Sequence, residues 1–269
     1  MYAKKKAWKR VLLIALTVVC IVSLMNVPVM AAAKKYKSKW VKTSGKVYYY
    51  DKTGKKLKSG IKKISGKSYY FDSKGVQKTG WQKIGSNYYY FSIANGSKGY
   101  MQKSKKVDGI TLDKNGKAKK TADALDKLGI LVKATKVVEK ITNANMTKTQ
   151  KLRKCFDYTK KTYRYMTWRK FRAVKNWERA YAKDMFYYGK GNCFSYASAF
   201  AYLANAVGYT KIYVVSSGGH GWTEINGKVY DPDWALVSKV DSYFAMSYSL
   251  SGVKGRPNYK PNRAYLAAV

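Results

Sequence analysis

The chain has 269 residues, and its 54 lysines and arginines against 14 aspartates and glutamates give a formal charge of +40. Its 26 tyrosines and its aromatic content of 15% exclude a disordered basic tail, because such segments lack the apolar side chains that build a core. A charge this large requires an anionic partner or surface, and nucleic acid is the first class to consider.

The N-terminal segment argues for export and against nucleic acid. Lysines and an arginine precede an apolar run at 11–25, and three alanines at 31–33 offer a cleavage site. These are the regions of a secretory signal peptide. The apolar run is shorter than the ~20 residues that a spanning helix needs, so we expect cleavage of residues 1–33 and no integral membrane anchor afterwards. A secreted protein of this charge suits anionic cell-wall polymers.

A repeat of aromatic runs and glycine turns follows, and we assign it to residues 34–120. Asp51 and Asp72 occupy equivalent positions 21 residues apart, a third copy at 85–91 diverges, and a fourth at 108–116 is degenerate. Each copy predicts a short β-hairpin. One hairpin cannot bury its aromatic face alone, so the copies predict a stacked solenoid.

These copies, with Tyr-Tyr-Phe-Asp at 69–72 and Gly80-Trp81, resemble the choline-binding or glucan-binding cell-wall repeats of Gram-positive surface proteins. The resemblance implies a wall-binding module held by aromatic stacking and lysine charge. The alternative is a stiff spacer whose tyrosines only pack on one another. The candidate wall-binding residues are Tyr49, Tyr50, Tyr70, Phe71, Trp81, Tyr89 and Tyr90.

Helical spacing replaces the repeat at about residue 120, so residues 121–269 are predicted to be a second domain. One helix carries Cys155 on its apolar stripe, with Thr149 near its start, and we expect Cys155 to be a packing residue. Helices followed by a strand and a hairpin predict an α+β domain with an antiparallel sheet. The tail from 247 to 269 carries no chemical motif, and we expect its tyrosines to cover the sheet.

Cys193 begins a predicted buried helix, which Asn192 caps and Gly208 ends. The free N–H groups and the helix dipole at that position favour a thiolate, so Cys193 is the candidate nucleophile. A disulfide between Cys155 and Cys193 is the alternative, and it would abolish this chemistry.

His220 is the single histidine, and it starts a strand that Asn226-Gly227 turns into a hairpin. A two-residue turn there places His220 opposite Asp233, with Asp231 as a diagonal neighbour, so either carboxylate could orient the imidazole. One histidine and two mature cysteines in different settings give no zinc spacing, so neither a metal nor a cofactor is expected.

Gly191-Asn192-Cys193, His220-Gly221-Trp222 and Asp231-Pro232 together resemble the transglutaminase-like superfamily of papain-like cysteine enzymes. The resemblance covers about residues 122–240. It implies a triad of Cys193, His220 and Asp231, and so selects Asp231 over Asp233. It also implies an upstream side chain as oxyanion donor, for which Trp168 and Trp177 are both candidates.

The sequence therefore predicts a secreted, cell-wall-associated thiol enzyme of a Gram-positive bacterium. Its fold would be α+β, a papain-like or transglutaminase-like core with an antiparallel sheet, preceded by a β-hairpin repeat solenoid. Its partners would be anionic cell-wall polymers and a peptide or protein substrate, whose amide bonds it opens through a Cys193 thioester. Hydrolysis and transamidation both stay open. The alternative is a non-catalytic wall-binding or adhesion protein with a degenerate transglutaminase-like domain.

Overall fold

The computed structural model describes residues 36–93, 99–238, 242–262 and 266–269. The predicted signal peptide at 1–33 lies outside the described residues. Within the described ranges, no helix combines the length and the apolar character that crossing a bilayer requires. The described chain forms two compact units, one of residues 36–41 with 49–57 and the other of residues 42–48 with 58–269.

Short antiparallel hairpins occupy the repeat region, as the aromatic runs and glycine turns predict. The strands are β1 (Lys39–Thr43), β2 (Lys46–Tyr50), β3 (Gly60–Ile64), β4 (Lys67–Phe71), β5 (Gln77–Lys78), β6 (Gly80–Ile84), β7 (Asn87–Phe91), β8 (Lys105–Val107) and β9 (Ile110–Leu112). The divergent third copy is the hairpin β6–β7, and the degenerate fourth copy is β8–β9. The hairpins are confirmed, while their stacking into a solenoid stays a prediction.

An aspartate closes the turn that follows each of three hairpins. Oδ1 of Asp72 accepts hydrogen bonds of 2.9 Å from the backbone N–H groups of Lys74 and Val76. Asp51 and Asp113 make the equivalent pairs of bonds at 2.8–2.9 Å. The repeat therefore keeps an aspartate after its aromatic run because the carboxylate satisfies two N–H groups of the turn.

The described chain contains five α-helices and two short 3₁₀-helices, Tyr248–Leu250 and Val253–Gly255. The α-helices are α1 (Ala122–Ile141), α2 (Lys148–Thr162), α3 (Trp177–Tyr188), α4 (Cys193–Val207) and α5 (Pro232–Val237). The helix that carries Cys155 begins slightly before Thr149, because Thr147 and Gln150 form a capping box at its start. Helix α4 has the predicted ends, with the Asn192 side chain capping its start and Gly208 its end at a φ of 101°.

A four-stranded antiparallel sheet completes the second unit, in the order β14-β13-β12-β15. Its strands are β12 (Ile212–Ser216), β13 (Gly221–Ile225), β14 (Lys228–Tyr230) and β15 (Ala267–Ala268), while β10 (Arg164–Tyr165) and β11 (Lys190–Gly191) form a separate parallel pair. Helices with antiparallel sheets confirm the α+β class.

Helix α4 runs through the core of the second unit and is buried along nearly its whole length. Phe200 is fully buried between Phe156 of α2 and Tyr230 of β14, with ring centroids at 5.4 and 5.6 Å. Fully buried Ala201 and Ala204 lie on the same helix, where small side chains let neighbouring elements approach closely. This burial fixes the position of the helix start, where Cys193 lies.

The hairpin β6–β7 packs directly against α1, across the predicted boundary at residue 120. A Cβ atom at Gly80 would lie 3.0 Å from Cγ2 of Thr135, so only glycine lets the strand approach the helix this closely. Glu139 accepts hydrogen bonds from Lys78 at 3.0 Å and Gln82 at 2.8 Å. The amino-acid composition changes at residue 120, but the chain on both sides of that residue belongs to the same compact unit. A domain boundary at residue 120 stays a prediction.

Candidate active site

Cys193 is the first residue of α4 and is 7% exposed. The side chain of Asn192 accepts a hydrogen bond from the backbone N–H of Ser195, which caps the helix. Gly191 leaves no room for a Cβ atom, because that atom would overlap the Ser195 side chain. Gly191 and Asn192 together therefore allow the helix to begin at Cys193, the candidate nucleophile.

Strand β13 brings His220 to the start of α4. A Cβ atom at Gly221 would lie 2.5 Å from Cδ1 of Phe194, so the strand lies directly on the first turn of the helix. Thr223 donates a hydrogen bond of 2.8 Å to the carbonyl of Ala197 one turn later. As a result, the Cys193 thiol and a ring nitrogen of His220 lie within 4.8 Å of each other.

Asp231 is the carboxylate that contacts the histidine, with Oδ2 2.6 Å from His220 Nε2. The simple strand register, which places Asp233 opposite His220, is wrong at this point. Pairing of β13 with β14 follows the predicted register only as far as Thr223 with Tyr230. The chain then turns into α5, which Asp231 caps by accepting from Trp234 N–H at 3.0 Å.

Tyr259 completes the hydrogen bonds of this carboxylate, and the sequence did not single it out. Its hydroxyl donates to Asp231 Oδ2 at 2.7 Å, and both side chains are almost fully buried. The expectation that tail tyrosines cover the sheet is confirmed, since the Tyr248 hydroxyl also accepts from Trp222 Nε1 at 2.9 Å. No motif in the tail distinguishes Tyr259 from its neighbours, because its partner is 28 residues away along the chain.

His220 is held in its charged form at neutral pH. Burial opposes the charge, but the Asp231 carboxylate and then Cys193 outweigh it and raise the pKa of His220 to about 10. Since Nε2 contacts Asp231, Nδ1 is the ring nitrogen left for Cys193. An imidazolium beside a cysteine at a helix start is the arrangement of an activated thiol nucleophile.

Asp233 lies at the same place and is 6% exposed. One of its carboxylate oxygens, the Cys193 sulfur and a nitrogen of His220 all lie within 4.8 Å of one another. Burial, followed by the charge of Asp231, raises the pKa of Asp233 to about 7. The three donor atoms are close enough to reach one cation, but His220 is already held by Asp231 as a thiol catalyst requires, and we assign no metal.

Comparison with known families agrees with this geometry. Residues 135–238 match the transglutaminase-like superfamily. Residues 58–102 match the choline-binding repeat, and residues 38–56 match the putative cell wall binding repeat. The chain carries choline-binding repeats followed by a transglutaminase-like domain. Both resemblances drawn from the sequence are confirmed, and the repeats indicate a cell-wall-associated protein.

Solved structures are similar to part of this chain. The choline-binding domain of Spr1274 in Streptococcus pneumoniae is 24% identical, covers 32% of this chain and 98% of its own, and has a TM-score of 0.28. The Cpl-1 endolysin complexed with a peptidoglycan analogue is 35% identical, covering 26% of this chain and 19% of its own with a TM-score of 0.22. Choline binding protein F from Streptococcus pneumoniae is 28% identical, covering 31% and 34% with a TM-score of 0.20. This chain thus spans about a fifth of the endolysin and a third of choline binding protein F. Comparison with curated proteins finds no match.

The other residues proposed for the transglutaminase-like chemistry fall in different places. Cys155 and Cys193 are both free thiols, so the disulfide alternative is wrong. Trp168 is 40% exposed and lines a cleft of about 500 Å³ together with Cys193. Trp177 is 5% exposed and packs against Phe194 with ring centroids 5.9 Å apart. Trp168 is therefore the oxyanion candidate that faces the cleft, and its role stays a prediction.

The choline-binding repeats bury three of the seven candidate wall-binding side chains. Phe71, Trp81 and Tyr89 are 0%, 2% and 9% exposed, so in this arrangement they are packing residues that offer no face to a polymer. Trp81 packs in the hydrophobic core with residues of α1, and its indole N–H donates to Asp108 at 2.7 Å. Partly buried are Tyr49, Tyr50, Tyr70 and Tyr90, and the prediction of wall binding rests on them.

Proposed function

We propose that the protein is a secreted, wall-associated thiol enzyme that opens amide bonds of a peptide or protein through a Cys193 thioester. The observation that carries the proposal is the contact of 2.6 Å between His220 Nε2 and Asp231 Oδ2, with Cys193 beside them at the start of a buried helix. This combination supplies a nucleophile, a proton carrier and an orienting carboxylate.

In the proposed reaction, the Cys193 thiolate adds to the amide carbonyl carbon. The backbone N–H of Cys193, at the helix start, is available to the oxyanion that forms. His220 then gives its proton to the leaving amine, the C–N bond breaks, and a thioester remains. In the second half, His220 takes a proton from water or from an amine, the nucleophile adds to the thioester, and the thiolate leaves.

Asp231 and Tyr259 act through the imidazole. The carboxylate stabilises the imidazolium, and its bond to Nε2 presents Nδ1 to the sulfur. Asp231 itself is held from two sides, by the Tyr259 hydroxyl and by the N–H of Trp234. Because Asp231 is fully buried, loss of either partner would leave a buried charge short of a hydrogen bond.

The repeats support the place of action. Choline-binding repeats favour attachment to the cell wall of a Gram-positive bacterium, and lysines on and around them favour anionic wall polymers. The substrate would then be a peptide or protein of the wall. A signal peptide at residues 1–33 would export the enzyme to it.

Thiol labelling tests the proposed nucleophile. We expect iodoacetamide to modify Cys193 in the folded mature chain and to leave Cys155 unmodified, because burial raises the pKa of Cys155 to about 12. His220→Ala should slow labelling of Cys193, while denatured chains of both proteins should be labelled at both cysteines. Equal labelling of wild type and His220→Ala would leave His220 without a role.

Activity separates the enzyme from a non-catalytic binding protein. Wild type incubated with wall peptides should release or exchange amines, and Cys193→Ala should do neither while keeping its affinity for purified cell walls. A binding protein with a degenerate domain would give the same result for both chains.

A further inference from the structure

Residues 164–172, between β10 and α3, hold a large share of the chain's arginine. The chain carries nearly all of its positive charge on lysine, yet three of its eight arginines lie in this short segment, which also contains Lys170 and no acidic residue. The planar guanidinium of arginine can donate two parallel hydrogen bonds to one carboxylate, whereas lysine acts as a point charge. Arginines concentrated at one place in a lysine-rich chain therefore indicate recognition of an acid group.

This segment lines two clefts, one of which contains the nucleophile. Arg169 and Lys170 line the cleft of about 500 Å³ beside Cys193. With Arg172 they also line a neighbouring cleft of about 520 Å³. No aspartate or glutamate occurs among the described residues that line either cleft. We call Arg169, Lys170 and Arg172 the cationic wall.

A buried carboxylate connects the cationic wall to the start of α4. Arg169 Nη2 donates to Oδ1 of Asp184 at 2.6 Å, and Asp184 is fully buried. The other oxygen of Asp184 accepts from the hydroxyl of Ser195, two residues after Cys193, at 3.3 Å. One side chain therefore fixes both the wall and the first turn of the helix that carries the nucleophile.

Two further contacts hold the backbone of the wall. The Lys170 carbonyl accepts from the Tyr181 hydroxyl at 3.3 Å. The Phe171 ring stacks on Phe194, the second residue of α4, with centroids 4.3 Å apart and an interplanar angle of 13°. The backbone is thus anchored while the side chains of Lys170 and Arg172 are exposed. Binding groups on an anchored backbone lose less conformational freedom when a ligand binds.

The charges of Lys170 and Arg172 are not neutralised within the described chain. Arg179 of α3 shows the contrast, because it pairs with Asp123 at 2.7 Å. The ion pairs of the described residues include no carboxylate partner for Lys170 or Arg172. Both cations are therefore available to an anion that enters the clefts.

Glycines line another part of the cleft beside Cys193. Gly218 and Gly219 contribute only backbone there, and a Cβ atom at either would meet no other atom within 4 Å. Every charged side chain that lines this cleft thus belongs to the cationic wall. A peptide could place its main chain along the glycines and its acidic side chain against the wall.

We propose that the cationic wall binds a carboxylate of the acyl donor, so that the peptide whose amide bond Cys193 opens is acidic. The inference rests on the proposed function, and it names the substrate class of that site. Since the wall and the nucleophile line the same cleft, the carboxylate lies within a few residues of the reacting amide. The wall is a specificity determinant and takes no part in bond making or breaking.

The test compares blocked tetrapeptide p-nitrophenyl esters that end in glycine. Each pair carries either glutamate or glutamine at one position, which is one, two or three residues before the esterified glycine. At one position at least, we expect wild-type kcat/KM to be about fivefold or more higher with glutamate, as an ion pair in a partly exposed cleft provides. The preference should fall towards one in about 0.5 M NaCl, because salt screens exposed charges.

Charge reversal identifies the wall as the source of the preference. Lys170→Glu combined with Arg172→Glu should abolish or reverse the preference while the glutamine esters still turn over. Arg169 is left in place because its loss would leave the buried Asp184 without its cation. The matched control combines Lys136→Glu with Lys154→Glu, which makes the same change of net charge at exposed positions of α1 and α2. This control should keep the wild-type preference.

The outcomes separate the inference from the proposed function. Turnover without a glutamate preference at any position, or a preference that survives charge reversal of the wall, overturns the inference alone. Absence of p-nitrophenol release that depends on Cys193 from every ester overturns the proposed function, and the inference falls with it. The same tetrapeptides as amides give a readout without turnover. Glutamate peptides should protect Cys193 from iodoacetamide more than glutamine peptides do, and equal protection contradicts the inference.

Discussion

The Tyr259 hydroxyl donates a hydrogen bond of 2.7 Å to the same oxygen of Asp231 that His220 Nε2 contacts at 2.6 Å. The C-terminal tail therefore positions the Asp231 carboxylate, which in turn orients the imidazole of His220. Asp231 Oδ1 is occupied by the Trp234 N–H, so both oxygens of the fully buried carboxylate are fixed. We expect the tail to be part of the catalytic geometry.

Replacing Tyr259 by Phe should lower kcat/KM about tenfold, because a buried charge loses a hydrogen bond worth roughly 1–2 kcal/mol. The pH dependence of Cys193 alkylation should change as well, since the partner of His220 is altered. The matched control is Tyr248→Phe. Tyr248 lies in the same tail, and the substitution removes its hydrogen bond of 2.6 Å to Glu224 of β13. Equal loss of activity in both variants would show that the hydrogen bond from Tyr259 to Asp231 has no specific role in catalysis.

The raised pKa of His220 predicts a specific pH dependence of stability. Its folded-state pKa is about 10, above the ordinary 6.5, so its contribution is complete below pH 6.5 and is lost as the pH rises through 10. The wild type should lose up to a few kcal/mol of unfolding free energy between pH 6 and pH 10.5 beyond the loss in His220→Gln. Parallel urea titrations of the two proteins measure the difference, and identical pH profiles contradict the ion pair.

Asp233→Asn should increase the stability of the folded protein at alkaline pH, whereas removal of His220 should decrease it at acidic pH. The folded-state pKa of Asp233 is also raised, to about 7, and for a carboxyl group this means that the folded state favours the protonated form. Stability therefore falls as the pH rises from about 4 to 7, and the isosteric amide should be more stable than wild type by about 1 kcal/mol or more at pH 8 but not at pH 4. Urea unfolding at the two pH values measures this. Asp157→Asn, which loses a partly buried ion pair with Arg153, should be slightly destabilised at pH 8 instead.

Asp108 joins the repeats to the helical core. Its two carboxylate oxygens accept from Trp81 Nε1 at 2.7 Å and from Asn205 Nδ2 of α4 at 2.9 Å. Asp108→Ala should cost about 2–3 kcal/mol of unfolding free energy, because two largely buried donors lose their partner. Asp113→Ala, which only opens a turn, should cost less. If urea denaturation gives equal values, the contact with α4 contributes little.

Local sequence patterns predicted the parts of the site that depend on neighbours in the chain. Asn192 and Gly208 mark the ends of the cysteine helix because caps act within a few residues. The hairpin turn at Asn226-Gly227 gave the correct register until Tyr230. There Pro232, which has no N–H to continue the ladder, starts a helix, and Asp231 rather than Asp233 meets His220.

Contacts between distant segments could not be read from patterns. Tyr259 reaches Asp231 across 28 residues, and nothing in the tail's composition indicates which tyrosine does so. Trp81 looks like an exposed wall-binding aromatic in its repeat, yet it is 2% exposed because Asp108 and α1 cover it. The unpaired oxygen of Asp233 is visible only when burial and hydrogen bonds are known.

The most direct test of the central claim is detection of the acyl-enzyme. The mature chain is mixed with a p-nitrophenyl ester of a short blocked peptide as acyl donor. The reaction is quenched in acid within the first turnover, and the protein is digested and analysed by mass spectrometry. We expect the acyl mass on the peptide that contains Cys193, its removal by hydroxylamine as a thioester requires, and its absence from Cys193→Ala. Turnover with no adduct on Cys193, or an adduct that persists in Cys193→Ala, would contradict the assignment of Cys193 as the nucleophile.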